Sequence, residues 1–329
     1  MQTKFKLSIS DRSQTIISRF SDVRREANKY RYKDPNRYSE ILNNLYKEEF
    51  LRRTNNLIKI GNDPKNIKTV LEFISIREHI VDWMVDWCCT FDPRNSTMGI
   101  NVDMPFIPWK RQIEFIEFFF ECCFSQQRAV LEKSRDAGAT WLFCVVYLWE
   151  WRWNKKFNGG IGSLKLEQVD VKDNPKCIFE KIRYLYQSQP KWFLPNGFNP
   201  NKHDKNCNIK NPEIGSIIFG EGGDNIGRGG RSTTYFIDEA AHLEHPDFTD
   251  RALSRNTDTQ FDLSTVCGTG HFYKKRMSGK VKVFVFDWRD DERVDEEWYK
   301  EQVRQHDPVT IAQEIDRNPY ASVEKLFIN

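Results

Sequence analysis

The chain predicts an α/β fold, with a mainly parallel central sheet flanked by helices and a helical region ahead of it. Three observations carry this. Residues 128–141 read as apolar strand, polar loop and helix. Residues 233–239 read as a second apolar strand that ends in paired acids. Between and beyond them strand-like and helix-like stretches alternate, a pattern that builds parallel sheets with their ligand at the strands' C-terminal ends.

The first stretch runs Ala129 to Leu131 as strand, Lys133 to Ala139 as loop, then Thr140 onward as an apolar helix through Leu142, Phe143, Val145, Val146 and Leu148. Strand, loop and helix is the layout in which backbone N–H groups and the positive end of the helix macrodipole converge on a phosphate. Set against G-x-x-x-x-G-K-[ST], residues Lys133, Ser134, Arg135, Asp136, Ala137, Gly138, Ala139 and Thr140 keep the second glycine and the hydroxyl. The first glycine and the lysine are replaced by Lys133 and Ala139. Lys133 leaves the strand end on a flexible stem that can fold back across the loop to the same phosphates. Arg135 offers a second cation, and Thr140 offers a hydroxyl for Mg²⁺. An ordinary strand-to-helix turn is the competing account.

The second stretch, Thr-Thr-Tyr-Phe-Ile-Asp-Glu, tips the balance toward ATP hydrolysis. At such a strand end Asp238 would bind Mg²⁺ and Glu239 would orient or deprotonate the attacking water.

Composition sets the bounds. A chain of 329 residues, 39% hydrophobic and 29% charged, describes a soluble globular protein of one large domain or two modest ones. No apolar run approaches membrane-spanning length, and the N-terminus has no signal-peptide core, so no membrane partner and no secretion are expected. Eight cysteines without C-x-x-C spacing predict reduced, buried thiols. Residues 1–80 hold 17 Lys and Arg against 10 Asp and Glu, a basic excess that suits nucleic acid or another acidic partner, or else a solvated helical face.

In chain order, helical spacing appears over 15–31, 36–58 and 67–87, and three prolines make 91–108 an irregular connection. Residues 109–124 form an apolar helix whose first turn carries Gln112, placed either to read an adenine edge or to face solvent. Asn158 to Ser163 is a glycine-rich turn or short strand, 175–188 a helix, and 215–220 a buried strand. Residues 221–231 are too rich in glycine for an element and predict a mobile loop carrying Arg228 and Arg231, as phosphate or cross-subunit contacts or simply as solubilising charge. Residues 262–267 predict a strand ending at Gly268-Thr269-Gly270, with Thr269 as γ-phosphate sensor or plain turn residue. A strand over 281–287 and helices from Asp295 and Pro308 complete the chain.

Taken together, Trp109-x-x-Gln112, the loop from Lys133 to Trp141, the Arg228/Arg231 loop running into Phe236-Ile-Asp-Glu-Ala-Ala241, and Gly268-Thr269 resemble the large terminase subunit of tailed bacteriophages. The likeness runs from Pro105 to the end. It includes the deviant loop with its lysine at the front. It implies a P-loop NTPase of the additional-strand class, using ATP and Mg²⁺ to pump double-stranded DNA into a procapsid in the host cytoplasm. Implied partners are the portal protein and a small terminase subunit. The implied assembly is a homo-oligomeric ring, typically a pentamer, with a monomer expected in isolation. In the implied roles Lys133 and Arg135 contact phosphates, Thr140 and Asp238 hold Mg²⁺, Glu239 activates water, and Thr269 couples hydrolysis to movement.

The expected organisation is a helical region over 1–90 and an ATPase domain over 91–329, with 308–329 approaching a linker to a nuclease domain that this chain lacks; no DNA cleavage is therefore expected. Two rival readings stay open. One is a helicase-like translocase on other nucleic acid, disfavoured because no helicase-type motif follows the Asp-Glu pair. The other is a non-hydrolysing scaffold that binds DNA or capsid proteins, disfavoured by the retention of Glu239.

Overall fold

A computed structural model of the protein describes residues 4–321. The N-terminal part is helical: α1 (Asp11–Asn28), α2 (Pro35–Ile60), α3 (Pro64–Ile74) and α4 (Ile80–Trp87). Each of the first three starts where a side-chain oxygen takes up a free amide, Ser10 onto Ser13, Asp34 onto Arg37 and Asp63 onto Lys65. The stretch predicted as one pattern over 67–87 is broken between α3 and α4. The predicted irregular connection instead contains a short antiparallel pair, β1 (Cys89–Phe91) with β2 (Asp103–Pro105).

The remaining elements are α5 (Lys110–Ser125), β3 (Ala129–Lys133), α6 (Ala139–Trp153), β4 (Asn158–Ser163), α7 (Leu166–Val169), α8 (Ile178–Gln187), α9 (Pro200–His203), β5 (Asp204–Lys205), β6 (Asn208–Lys210), β7 (Ile217–Gly222), β8 (Thr234–Asp238), α10 (Pro246–Leu253), β9 (Gln260–Ser264), α11 (His271–Met277), β10 (Lys282–Phe286), α12 (Glu296–Gln305) and α13 (Pro308–Thr310), which runs into a π turn over Ile311–Ile315. The sheet order is β10-β3-β9-β8-β4-β7-β6-β5. The first six strands are mutually parallel; at one edge the short β6, unforeseen in the sequence like β5, runs antiparallel to β7, and β5 pairs antiparallel with β6.

The strand that gives the additional-strand class its name is β9. It lies between β3, which leads into the loop, and β8, which ends in Asp238. The fold is therefore an α/β P-loop fold of that class, and the C-terminal ends of β3, β9 and β8 lie side by side.

Alternation along each strand sorts side chains to two faces. Leu131, Phe236, Phe261 and Leu263 face α5 and α6, while Val130, Tyr235 and Ile237 face Leu253 of α10 and Phe272 of α11. Helix α6 is buried from Leu142 to Arg152 and carries apolar residues on most of its circumference, as a helix packed on more than one side does. Its Phe143 ring stacks on Phe236 at 3.8 Å between centroids. The glycines of β4 have a packing reason: a Cβ on Gly160 would sit 2.3 Å from the Tyr235 ring. Phe20, Leu42 and Trp83 of the N-terminal helices belong to the same core cluster as Phe119, Phe143 and Phe286.

The structure redistributes the basic excess of the first eighty residues. Arg12 pairs with Asp86, Arg19 with Glu48, Arg52 and Arg53 with Glu49, and Arg77 with Glu150. Asp86 and Glu150, which lie beyond residue 80, offset part of the excess. All eight cysteines are free, but only Cys88, Cys122, Cys144 and Cys177 are buried, and Cys267 is exposed. Among the described residues no helix is long and apolar enough to cross a membrane. The last part of the expected linker, residues 322–329, lies outside the described residues.

Candidate active site

The loop between β3 and α6 is built by two left-handed residues, Asp136 (φ 64°) and Gly138 (φ 72°). Gly138 stands at the N-cap of α6 with no side-chain cap. Among the described residues the helix-start amides after it have no side-chain acceptor, which leaves donors directed outward. Not every loop amide is free, however. Ser134 N–H donates to the Phe286 carbonyl at 2.8 Å and Arg135 N–H to the Glu314 carbonyl at 2.7 Å.

Four predicted residues meet at the strand ends. The Lys133 Nζ donates to Glu239 Oε1 at 3.2 Å, and the Thr140 hydroxyl donates to Asp238 Oδ2 at 3.1 Å. Burial works against the Lys133 ammonium, but the charges of Glu239 and Asp238 outweigh it and hold its pKa above the ordinary lysine value. Burial pushes the Asp238 carboxyl above the usual aspartate range; the neighbouring Glu239 adds to this, while Lys133 and the Thr140 hydroxyl oppose it. Glu239 itself sits in the left-handed region (φ 56°), and its amide donates to Asp238 Oδ1 at 3.2 Å. The turn after β8 is thereby drawn tight on the aspartate. A hydroxyl and a carboxylate oxygen are hard donors of the kind Mg²⁺ takes, with water and phosphate oxygens completing its octahedron. Among the described residues no group of three or more His, Cys, Asp or Glu is arranged to hold a metal ion on its own.

Other predicted residues are placed differently. Ser134 faces inward: its hydroxyl donates to the Ile315 carbonyl at 2.7 Å and accepts from the Trp288 amide at 3.1 Å. It therefore anchors the loop to the C-terminal segment, with no side-chain oxygen left toward a ligand. Gln112 is 1% exposed. Its Nε2 reaches the Ala137 carbonyl at 3.4 Å and lies under Gly138, while its Oε1 is buried without a partner. A solvent-facing glutamine does not describe it; it supports the loop from beneath. Ala137 and Ala139 are buried and contribute backbone only. Arg135 is 67% exposed, its guanidinium 3.9 Å from Glu314. The Asp136 carboxylate accepts from Arg94 at 2.6 Å, and its carbonyl accepts from Arg293 at 2.6 Å.

Thr269 is corrected outright as a strand-end residue. Strand β9 stops at Ser264, and Thr269 lies beyond it in an exposed turn. The hydroxyls at the strand end are Ser264, 3.5 Å from Glu239 Oε2, and Thr265, which donates to Glu314 Oε1 at 3.2 Å. Both are buried, because β9 is enclosed between β3 and β8.

Arg228 and Arg231 are exposed. The loop that carries them is organised around the Glu221 carboxylate, which accepts from Gly227 N–H, Gly229 N–H and the Tyr235 hydroxyl. Arg231 precedes β8, and at about 3.3 Å per residue it stands up to roughly 23 Å from Asp238, at the other end of the strand.

Sequence reasoning passed over Ser264, Thr265, Glu314, Arg94 and Arg293. A hydroxyl pair at the end of an apolar run was a usable signal for the first two. Nothing near Glu314 in the chain marks it, because it reaches the loop only through the fold.

No protein-family model matches the chain, and no curated protein matches it. Among solved structures it is similar to the large terminase of a thermophilic bacteriophage in complex with ADP, at a TM-score of 0.48 and 15% identity over 63% of this chain and 52% of that one. The same phage's large terminase in complex with ATP-gamma-S is similar at a TM-score of 0.47 and 15% identity, over 63% and 52% of the two chains. The large terminase ATPase domain of Thermus phage P74-26 is similar at a TM-score of 0.47 and 18% identity over 67% of this chain and 95% of that one. The chain therefore spans about half the length of the first two terminases it matches, and nearly all of the Thermus phage domain.

Proposed function

We propose that the protein hydrolyses ATP, and that it does so as the motor of a viral terminase translocating double-stranded DNA into a procapsid. The observation that carries the ATPase reading is the meeting of Lys133, Thr140, Asp238 and Glu239 where the ends of β3 and β8, on either side of β9, face the start of α6. Bound Mg²⁺ would neutralise the phosphate charge; Thr140 and Asp238 are the residues that would hold it.

The chain's own groups supply the rest. The amides opening α6 cradle phosphate oxygens, and the Lys133 ammonium is a point charge within reach of them. That ammonium rests on Glu239, so phosphate oxygens compete with a carboxylate for it. When they win, Glu239 is released to orient a water, with Ser264 at its second oxygen. Binding of the substrate and unmasking of the base are in this way one event. The deviant loop is no loss of function on this reading, since the lysine at its front reaches the acids that the usual lysine would face.

The motor reading, with a portal protein, a small terminase subunit and a pentameric ring in the host cytoplasm, rests on the resemblance of motifs. Glu239→Gln tests the chemistry: phosphate release falls on the order of a hundredfold or more, while binding of a fluorescent ATP analogue is retained. Turnover that survives the substitution would overturn the assignment. Stimulation of turnover by duplex DNA, and capture by portal-bearing procapsids, test the motor reading separately.

A further inference from the structure

We propose that the edge of the sheet opposite the nucleotide loop is a docking surface for the phosphodiester backbone of double-helical nucleic acid. The six parallel strands all start at this edge, and the residues just before or at the starts of five of them are cationic. Lys280 and Lys282 lead into β10, Arg128 into β3, and Arg255 stands ahead of β9. Arg231 stands ahead of β8, and Lys155 and Lys156 ahead of β4.

Backbone hydrogen bonds knit these starts into one surface. Lys282 N–H donates to the Arg128 carbonyl at 2.9 Å, Ser232 N–H to the Asn256 carbonyl at 2.9 Å, and Thr233 N–H to the Asn158 carbonyl at 2.7 Å. Two grooves of about 550 and 400 Å³ run along it, one walled by Arg128, Lys280 and Lys282, the other by Arg231 and Arg255, and both share Gln126, Thr257 and Asp258.

Among the described residues no carboxylate lies within ion-pair distance of any of the seven, whereas most arginines of the N-terminal helices are paired. All but the half-buried Arg128 are exposed. Like charges held together without counter-charge repel one another. An incoming polyanion relieves that repulsion.

Dimensions and lining decide the partner. Strands about 4.8 Å apart make the six-strand edge roughly 24 Å wide, a span along which a duplex presents about fourteen phosphates. A single phosphate compound would meet two or three of these cations and leave the others unused. A protein partner would call for an aromatic or aliphatic centre, but the exposed uncharged side chains of the grooves include the amides of Gln126 and Gln127, which hydrogen-bond phosphate and sugar, with Asp258 a carboxylate at the point the grooves share. This surface lies away from the loop, so its reading does not depend on ATP hydrolysis.

The test is fluorescence anisotropy of a labelled DNA duplex about 30 base pairs long, roughly four times the width of the edge, with the full chain, without nucleotide, across a salt series. In the wild type log Kd rises steeply with log salt. Arg255→Glu combined with Lys280→Glu and Lys282→Glu lowers that slope by about 3 and weakens binding at least about tenfold. The milder triple change to glutamine lowers it in the same direction and guards against misfolding of the first variant. An RNA duplex in a parallel arm tells which helix form is preferred. Unchanged slope and affinity in both folded variants would overturn the proposal. So would poly-glutamate displacing the duplex equally well per charge, which would point to an acidic protein. Phosphate release measured on the same variants stays at the wild-type level without DNA. Failure of the surface and failure of the ATPase reading therefore give different results.

Discussion

Lys133 and Glu239, which are 106 residues apart in the chain, form an ion pair of 3.2 Å across the end of a strand that lies between theirs. The pair places the loop's front cation on the residue best situated to activate water. Its removal should therefore affect turnover in both ways at once. Lys133→Ala is expected to lower kcat/KM by about a hundredfold or more, the usual scale for losing one preorganised charge at a phosphoryl site, and steady-state phosphate release reads it. Lys133→Arg restores the charge but not the compact point-charge geometry, and should recover only part of the activity.

Ser134 separates a structural role from a binding one. Its hydroxyl joins the Ile315 carbonyl to the Trp288 amide, both away from the loop's outer side. Ser134→Ala leaves buried backbone groups unsatisfied and should cost about 1–3 kcal/mol of stability, visible as a lower denaturant midpoint. Affinity for the ATP analogue should change less than stability does.

Gly138→Ala combines a left-handed backbone with a Cβ 3.1 Å from Gln112 Nε2. The strain is about 1–2 kcal/mol; where the unliganded loop escapes it by leaving the binding conformation, analogue affinity falls by up to roughly tenfold. Titration of the fluorescent analogue checks this. An affinity equal to wild type would mean that the loop keeps its shape in both states, with the strain appearing only as lost stability.

Ser264 and Thr269 can be compared directly. Ser264 lies beside Glu239 and Thr269 lies in an exposed turn. Ser264→Ala should lower turnover by about tenfold, on the scale of one hydrogen bond to a charged group, and Thr269→Ala should lower it less. The reverse ranking would restore Thr269 to the site.

The raised pKa of Asp238 predicts a pH dependence of stability. Its main cause is burial, so the folded state binds a proton there more tightly than the unfolded chain does. The stabilising contribution of the protonated form is complete below the ordinary aspartate value and is lost as pH rises through the raised one. Asp238→Asn removes that loss. Its melting temperature should match wild type at acidic pH and exceed it increasingly toward neutrality, while turnover is abolished. Thermal melts over a pH series decide it.

Sequence by itself determined the strand-loop-helix unit, the acid pair at the end of β8 and the alternation that makes a parallel sheet. These depend on neighbours along the chain: hydrophobic period, glycine at a left-handed position, acids at a strand end. It also put a lysine, Lys133, at the strand end in front of the loop, from which a long side chain has few other places to go.

Only the tertiary structure decided which hydroxyl stands beside Glu239, since that required knowing that β9 stops at Ser264 and lies between β3 and β8. It also turned Ser134 inward, toward a carbonyl 181 residues away. It paired arginines of the N-terminal helices with Asp86 of α4 and Glu150 of α6 and set unpaired cations side by side at the strand starts. The physical reason is common to all three. Burial and charge pairing are set by which segments the fold brings together, and no local pattern in the chain records the partner.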